Sequence, residues 1–291
     1  MNTIGASELI LNPDGSVYHL ALKPEELAKN IILVGDPGRV ALVSSFFDNI
    51  EVKKQNREII SHTGTYKGMR VSVISTGMGT DNIDIVLNEL DALVNLDLDK
   101  RTVKEKHTSL NLVRIGTSGA LHSGIEPDTT IASSHGVGLD GMLYYYRNLD
   151  KVIDNEMTEK FISGTSWPSV LPRPYIVAAD SKLLKALSNG NVSGMTATAP
   201  GFYGPQGRVL RLETFLPDIN EMLASFNYKG MRITNFEMET SALYGLSKMM
   251  GHSACTVTNI VANRVDKTHS SMYKEAMSRL VQDVLNRLAK L

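Results

Sequence analysis

The chain has 291 residues, 42% of them hydrophobic and 21% charged, with a formal net charge of -1. That balance suits a soluble globular protein with a large core, and nothing in it points to a nucleic-acid binder or to a protein drawn to anionic membranes. One cysteine, Cys255, sits in the apolar run Ala254-Cys255-Thr256-Val257; no disulfide can form within the chain, and a reduced core residue is expected. No apolar run approaches the ~20 residues of a membrane span, and no basic stretch precedes an apolar one at the N-terminus. A cytoplasmic protein is expected, with neither nucleic acid nor membrane as partner.

Residues 1–30 are polar, with Tyr18-His19-Leu20 and then Lys23-Pro24-Glu25-Glu26-Leu27, where proline suits a first helical turn. Ile31-Ile32-Leu33-Val34 reads as a strand covered on both faces. It breaks at Gly35-Asp36-Pro37-Gly38-Arg39, and an apolar helical pattern follows through Phe47. A strand feeding a glycine loop and a helix is a ligand-binding arrangement in α/β folds, although neither a dinucleotide GxGxxG nor a P-loop is present. Arg57 and Glu58 open a hairpin of Glu58 to Tyr66 and Met69 to Thr76 around Lys67-Gly68. Gly77-Met78-Gly79-Thr80 is a second glycine loop, followed by an amphipathic helix from Asp81 to Leu93. Residues 95–109 are charged and read as an exposed connection.

Leu112-Val113-Arg114-Ile115 reads as a buried strand ending in the turn-forming Gly116-Thr117-Ser118-Gly119. A guanidinium in such a run is costly unless an anion meets it. Glycine amides and hydroxyls at a strand end could supply the remaining donors for an oxyanion; an ordinary Arg–carboxylate pair is the plainer alternative. Further strands are expected at Thr129 to Ser134, Tyr175 to Ala179, Met231 to Asn235 and Thr256 to Val261. Residues 138–175 read as irregular. Ala199 to Arg208 is a loop by its proline and glycine content, and Met272 to Leu291 a closing amphipathic helix. Strands alternating with helices give an α/β class and one domain over residues 1–291.

Four groups carry candidate chemistry. Arg39, Arg57 and Arg114 lie at strand or loop boundaries; together they would bind phosphate through their forks, and apart they are ordinary surface or paired arginines. Glu237 and Glu239 open a helix, where carboxylates favour the dipole; an ionised carboxylate also suits a sugar diol. Gln206 and Arg208 beside Phe202 suit a planar, amide-bearing ring whose carbonyl gains negative charge, with an exposed polar loop as the alternative. The seven histidines show no metal-ligand spacing, so no metal is expected. No GxSxG elbow is present and Cys255 lies in a core-like strand, which argues against a covalent nucleophile.

The segments GDPGRV (35–40), NRE (56–58), STGMG (75–79), RIGTSGA (114–120), FYGPQGR (202–208), NFEMET (235–240) and VANR (261–264) occur in this order. In them the chain resembles the uridine phosphorylases of the nucleoside phosphorylase family, from about Val17 to the C-terminus, with candidate insertions at 95–109 and 140–175. The resemblance implies a central mixed sheet or barrel flanked by helices. It also implies a pentosyltransferase acting on uridine and inorganic phosphate, with no cofactor. By resemblance Gly35, Arg39, Arg114 and Thr117 bind phosphate, joined by Arg57 from a neighbouring subunit. His19 reaches across a dimer to the ribose, which Met238 and Glu239 also contact. Phe202, Gln206 and Arg208 hold the base. The catalytic residues implied are Arg208, Gln206 and Arg114, in a homo-oligomer, dimer or hexamer. Gly204-Pro205 inverts the Pro-Gly order of enteric members. Asn82 replaces a serine that helps bind a monovalent cation in some bacterial members, which counts against a cation at Glu58. Purine-specific relatives carry an aspartate in a late loop, where this chain has Val257-Thr258-Asn259-Ile260, and they lack the Gln–Arg pair.

Overall fold

The computed structural model describes residues 3–291. Its first half runs β1 (Asn30–Val34), α1 (Gly38–Ser44), β2 (Asn49–Asn56), β3 (Ile59–Tyr66), β4 (Met69–Ser75), α2 (Thr80–Asn95), β5 (Leu96–Asp97), β6 (Thr102–Val103), β7 (Asn111–Ala120) and β8 (Thr130–Gly138). The second half runs α3 (Asn155–Thr165), β9 (Tyr175–Ala178), α4 (Ser181–Ser188), β10 (Val192–Thr198), α5 (Ile219–Ser225), β11 (Asn227–Tyr228), β12 (Met231–Glu237), α6 (Thr240–Met249), β13 (Ser253–Asn263), β14 (Thr268–His269) and α7 (Tyr273–Leu288).

The apolar run of β1 is wholly buried from Ile31 to Val34, with parallel strands β4 and β7 on either side of it. Twelve strands share one sheet, in the order β11-β12-β10-β8-β13-β7-β1-β4-β3-β2, with β9 on β8 and β14 on β13. An extra antiparallel pairing of β12 with β7, Asn235 to Ala120 and Phe236 to Gly119, closes β7, β13, β8, β10 and β12 into a five-stranded barrel. The α/β class and the helix-flanked mixed barrel are as the sequence and its resemblance lead one to expect. No helix among the described residues is long and apolar enough to cross a membrane. Cys255 is buried in β13.

Several expectations need correction. The Gly116–Gly119 stretch is not a turn at a strand end: β7 continues to Ala120, and its glycines pair with β13 and β12. Barrel closure claims that backbone. Residues 138–175 are not irregular throughout, since α3 lies within them, capped by the Asp154 carboxylate accepting from the Met157 N–H at 2.9 Å. Met157, Phe161 and Trp167 join a second core with Phe226 and Phe236. Strand β2, which precedes Arg57, has no apolar face to announce it; it is mostly exposed and held by its ladder to β3.

The barrel is polar inside. Ser118 of β7, Ser133 of β8, Thr196 of β10, Asn235 of β12 and Thr258 of β13 are buried and hydrogen-bonded in a chain. One side chain from each of five strands can meet the others only inside the ring. Asn235 is the hub: its Oδ1 accepts from Thr196 and Thr234, and its Nδ2 donates to Ser118 and Thr258 at 2.8 and 3.2 Å. Asn235→Ala should therefore lower unfolding free energy by about 2–4 kcal/mol, because it leaves buried hydroxyls without partners as well as a small cavity. Urea denaturation measures this, and an unchanged midpoint would refute the role of the hub.

Candidate active site

The C-terminal ends of β1, β4 and β7 and the rim of the barrel enclose a cavity of about 780 Å3. Ten of the candidate residues named from sequence line it: Gly35, Arg39, Arg114, Thr117, Phe202, Gln206, Arg208, Glu237, Met238 and Glu239. Glu58 and Asn82 line it as well.

At one end Arg114, on β7, is almost fully buried. Its Nη2 is hydrogen-bonded to Glu239 Oε2, and its Nη1 lies 3.2 Å from Glu237 Oε2. Nη1 is not aligned for a hydrogen bond there, and both Nη1 and Nε lack a hydrogen-bond partner. Buried unpaired N–H groups on a cation are costly and mark a place for an anion. Gly116 is required by this arrangement: a Cβ at that position would sit 2.0 Å from Arg114 Nη1. Arg39, in the first turn of α1, is also buried and donates to Ile115 O at 3.1 Å.

The two glutamates divide their work. Glu237 accepts from the backbone N–H groups of Glu239 and Thr240 and from Thr198 Oγ1, all at 3.0–3.1 Å. It caps α6, the structural option of the sequence reading. Glu239 faces the cavity, with Oε1 accepting from the Gly79 N–H at 2.7 Å and Oε2 bound to Arg114. Burial pushes its carboxyl up to about 7, opposed by Arg114 and reinforced by Glu237.

At the other end the loop after β10 turns Gln206 and Arg208 inward. Arg208 Nη1 donates to Gln206 Oε1 at 2.6 Å and to Phe202 O at 2.7 Å, and its guanidinium lies 3.8 Å from the Phe202 ring centroid. Burial and the nearby Arg264 lower its pKa to about 10. Arg264, which ends the VANR motif, has no role from the sequence alone. Its guanidinium lies 5.9 Å from the Phe236 ring, and its Nη1 donates to Gln206 O at 3.5 Å. A cation directly after a buried strand was the signal that could have found it.

His19 and Arg57 are not among the cavity's lining residues. They lie together around Tyr18. Arg57 Nη2 donates to Tyr18 Oη at 3.2 Å, and its guanidinium sits 5.4 Å from the ring centroid. His19 Nδ1 donates to Glu89 Oε1 at 2.6 Å, which fixes the tautomer and leaves Nε2 free. Elsewhere the fold brings Asp91, His107 and His252 within 4.8 Å, a grouping that sequence spacing did not reveal. His252 Nδ1 accepts from the Leu110 N–H and its Nε2 lies 3.2 Å from Asp91 Oδ1. His107 Nε2 donates to Met250 O, so the three tie the 104–110 connection to α2 and α6.

A family model described as "Phosphorylase superfamily" matches residues 29–291. The chain belongs to the phosphorylase superfamily. Among curated relatives, a uridine phosphorylase of Thermococcus kodakarensis is 30% identical over 279 residues, covering 95% of this chain and 88% of that protein. A DeoD-type purine nucleoside phosphorylase of Oceanobacillus iheyensis is 28% identical over 247 residues, covering 83% and 85%. A Trypanosoma brucei nucleoside phosphorylase, whose crystal structure is described as showing uridine phosphorylase activity, superposes with a TM-score of 0.88 at 32% identity, covering 97% of this chain and 100% of that one. An oomycete uridine phosphorylase, from Phytophthora capsici, shares the fold with a TM-score of 0.75 at 24% identity. The cavity of this superfamily member thus sits on a phosphorylase scaffold.

The Glu239 carboxyl gives a pH dependence with a definite sign. Its folded pKa, about 7, exceeds the ordinary 4.5, so folding takes up a proton between those values. The associated stability is complete below 4.5 and lost as pH rises through about 7. In the ligand-free protein Tm should fall over that window, and Glu239→Gln should flatten the fall. A Tm profile equally steep in both proteins would assign the titration to another group.

Proposed function

We propose that the chain catalyses the reversible phosphorolysis of uridine to uracil and ribose 1-phosphate, as a cytoplasmic enzyme of pyrimidine salvage. One observation carries this reading: a single cavity holds buried arginines at one end, a glutamate beside them, and a Gln–Arg–Phe group at the other end. These match in order a phosphate, a ribose and an amide-bearing base. The similarity to the Thermococcus and Trypanosoma proteins supports it.

Phosphate rests on Arg39, Arg114, Thr117 and the Gly35 backbone, with Arg57 supplied by a neighbouring subunit. Met238 and Glu239 hold the ribose, and His19 of that neighbour contacts it. An oxygen of hydrogen phosphate attacks C1′ while the N1–C1′ bond breaks, the bond pair leaves with the base, and the proton carried in by the phosphate passes to the base to give uracil. Positive charge grows on the sugar beside the bound phosphate, and negative charge on the uracil carbonyls beside Arg208 and Gln206. Catalysis is placement plus electrostatic stabilisation of developing charge. No protein nucleophile, metal or cofactor enters; inorganic phosphate is the co-substrate, and no cation is assigned to Glu58.

The purine nucleoside phosphorylase relatives favour one second reading, a purine substrate on the same scaffold. The β13 residues on the cavity wall are Val261 and Ala262, neither of which can protonate a purine, and Gln206 with Arg208 suits a pyrimidine better.

Ultraviolet-monitored cleavage of uridine and inosine, each with and without phosphate, should show uridine consumed only when phosphate is present. Inosine cleavage alone would replace the pyrimidine reading with the purine one. Phosphate-independent turnover would make the chain a hydrolase, and binding without turnover a nucleoside-binding protein.

A shared site has its own test. Arg208→Ala should lower kcat by about 100- to 1,000-fold, far more than it weakens uracil binding, and Arg57→Ala should be impaired as well. Co-expression of the two variants should restore partial activity, since one site of each mixed dimer is then intact. Absence of complementation in purified mixed oligomers would place Arg57 outside the active site.

A further inference from the structure

Arg39 differs from Arg114 in how its charge is met. Arg114 is flanked by Glu237 and Glu239, whereas Arg39 makes no ion pair among the described residues. It is nevertheless 93% buried, being only 7% exposed. Its two protein acceptors are both neutral: Nη1 donates to Ile115 O at 3.1 Å, and Nη2 donates to the Tyr273 hydroxyl at 2.7 Å. A guanidinium has five donors and no acceptor, so the tyrosine oxygen must be accepting. The positive charge of Arg39 is therefore left for a cavity anion, while its direction is set by one backbone carbonyl and one side chain.

Tyr273 is the first residue of α7. It is far in sequence from Arg39 and absent from the cavity wall. The segment before it is the β13–β14 hairpin, paired through Ala262 with His269 and Asn263 with Thr268. That hairpin begins beside Arg264, at the opposite end of the cavity. One short stretch of chain therefore reaches from the base end of the site to the arginine at the other end.

We propose that Tyr273 is a positioning residue for phosphate: its hydroxyl fixes the Arg39 guanidinium in the orientation that receives the anion. The inference rests on the phosphorylase reading above. A long arginine side chain held at one nitrogen alone retains rotational freedom, which must be lost when the anion binds. Removing the hydroxyl thus weakens phosphate binding without touching the nucleoside end.

Tyr273→Phe keeps the ring and its packing and removes only the acceptor. The expected result is a KM for phosphate raised about tenfold, the scale of one hydrogen bond to a charged group, with the KM for uridine unchanged. Calorimetric titration of inorganic phosphate into the nucleoside-free protein should show the same loss. Tyr273→Gln, which restores a neutral acceptor, should recover part of it. Equal phosphate affinity in the wild type and Tyr273→Phe would overturn the proposal, as would equal rises in both KM values. No phosphate binding to the wild type would instead overturn the phosphorylase reading itself, so the two failures are distinguishable.

Discussion

A buried guanidinium, that of Arg114, is the constraint the site depends on. It stands on a barrel strand and is met by carboxylates from the opposite strand end and the start of α6. Removing one partner of such a buried pair costs about 3–5 kcal/mol because the other charge is left uncompensated, so strand β7, the end of strand β12 and the start of helix α6 have to be placed together. The cavity is not uniformly positive. Arg39, Arg114 and Arg208 share its wall with Asp36, Glu58, Glu237 and Glu239. Attraction for an anion must come from local placement rather than net field. The unpaired N–H groups of Arg114 and the uncompensated charge of Arg39 are the two places where the protein leaves donors unspent.

Adjacent carboxylates in one sequence have become different chemical objects. Glu237 is surrounded by backbone donors at a helix start and acts as a cap. Glu239, two residues later, is deeply buried beside a like charge and holds a proton more readily than a surface carboxylate. Position relative to the first helical turn, and not residue type, separates the two roles.

The sequence announced what was expensive. An arginine inside an apolar strand stood out because it is not stable there without a partner, and it lines the cavity. The alternation of apolar strands with amphipathic helices gave the α/β class for the same reason. What lay hidden was inexpensive locally and meaningful only in three dimensions. Strand β2 carries charged residues and is ordered by its neighbour β3. Helix α3 has few apolar positions and depends on a core assembled from distant segments. His19 and Arg57 do not line the cavity and meet around Tyr18, a grouping that no local pattern reveals. Tyr273 carries no signal at all, since a tyrosine at a helix start is unremarked until Arg39 is found beside it.

The pairing of β7 with β12 has a consequence for how the molecule comes into being. Gly119 and Phe236 must meet to close the barrel, and all the intervening chain has to be made and threaded past before they can. Contacts so distant in sequence are formed late and slowly. A chain emerging from the ribosome cannot close the barrel before β12 and β13 have been made, so until then β7 keeps a bare edge where they will dock. That edge, with Arg114 as yet unpaired beneath it, is the stage at which the nascent protein is most exposed to misassembly.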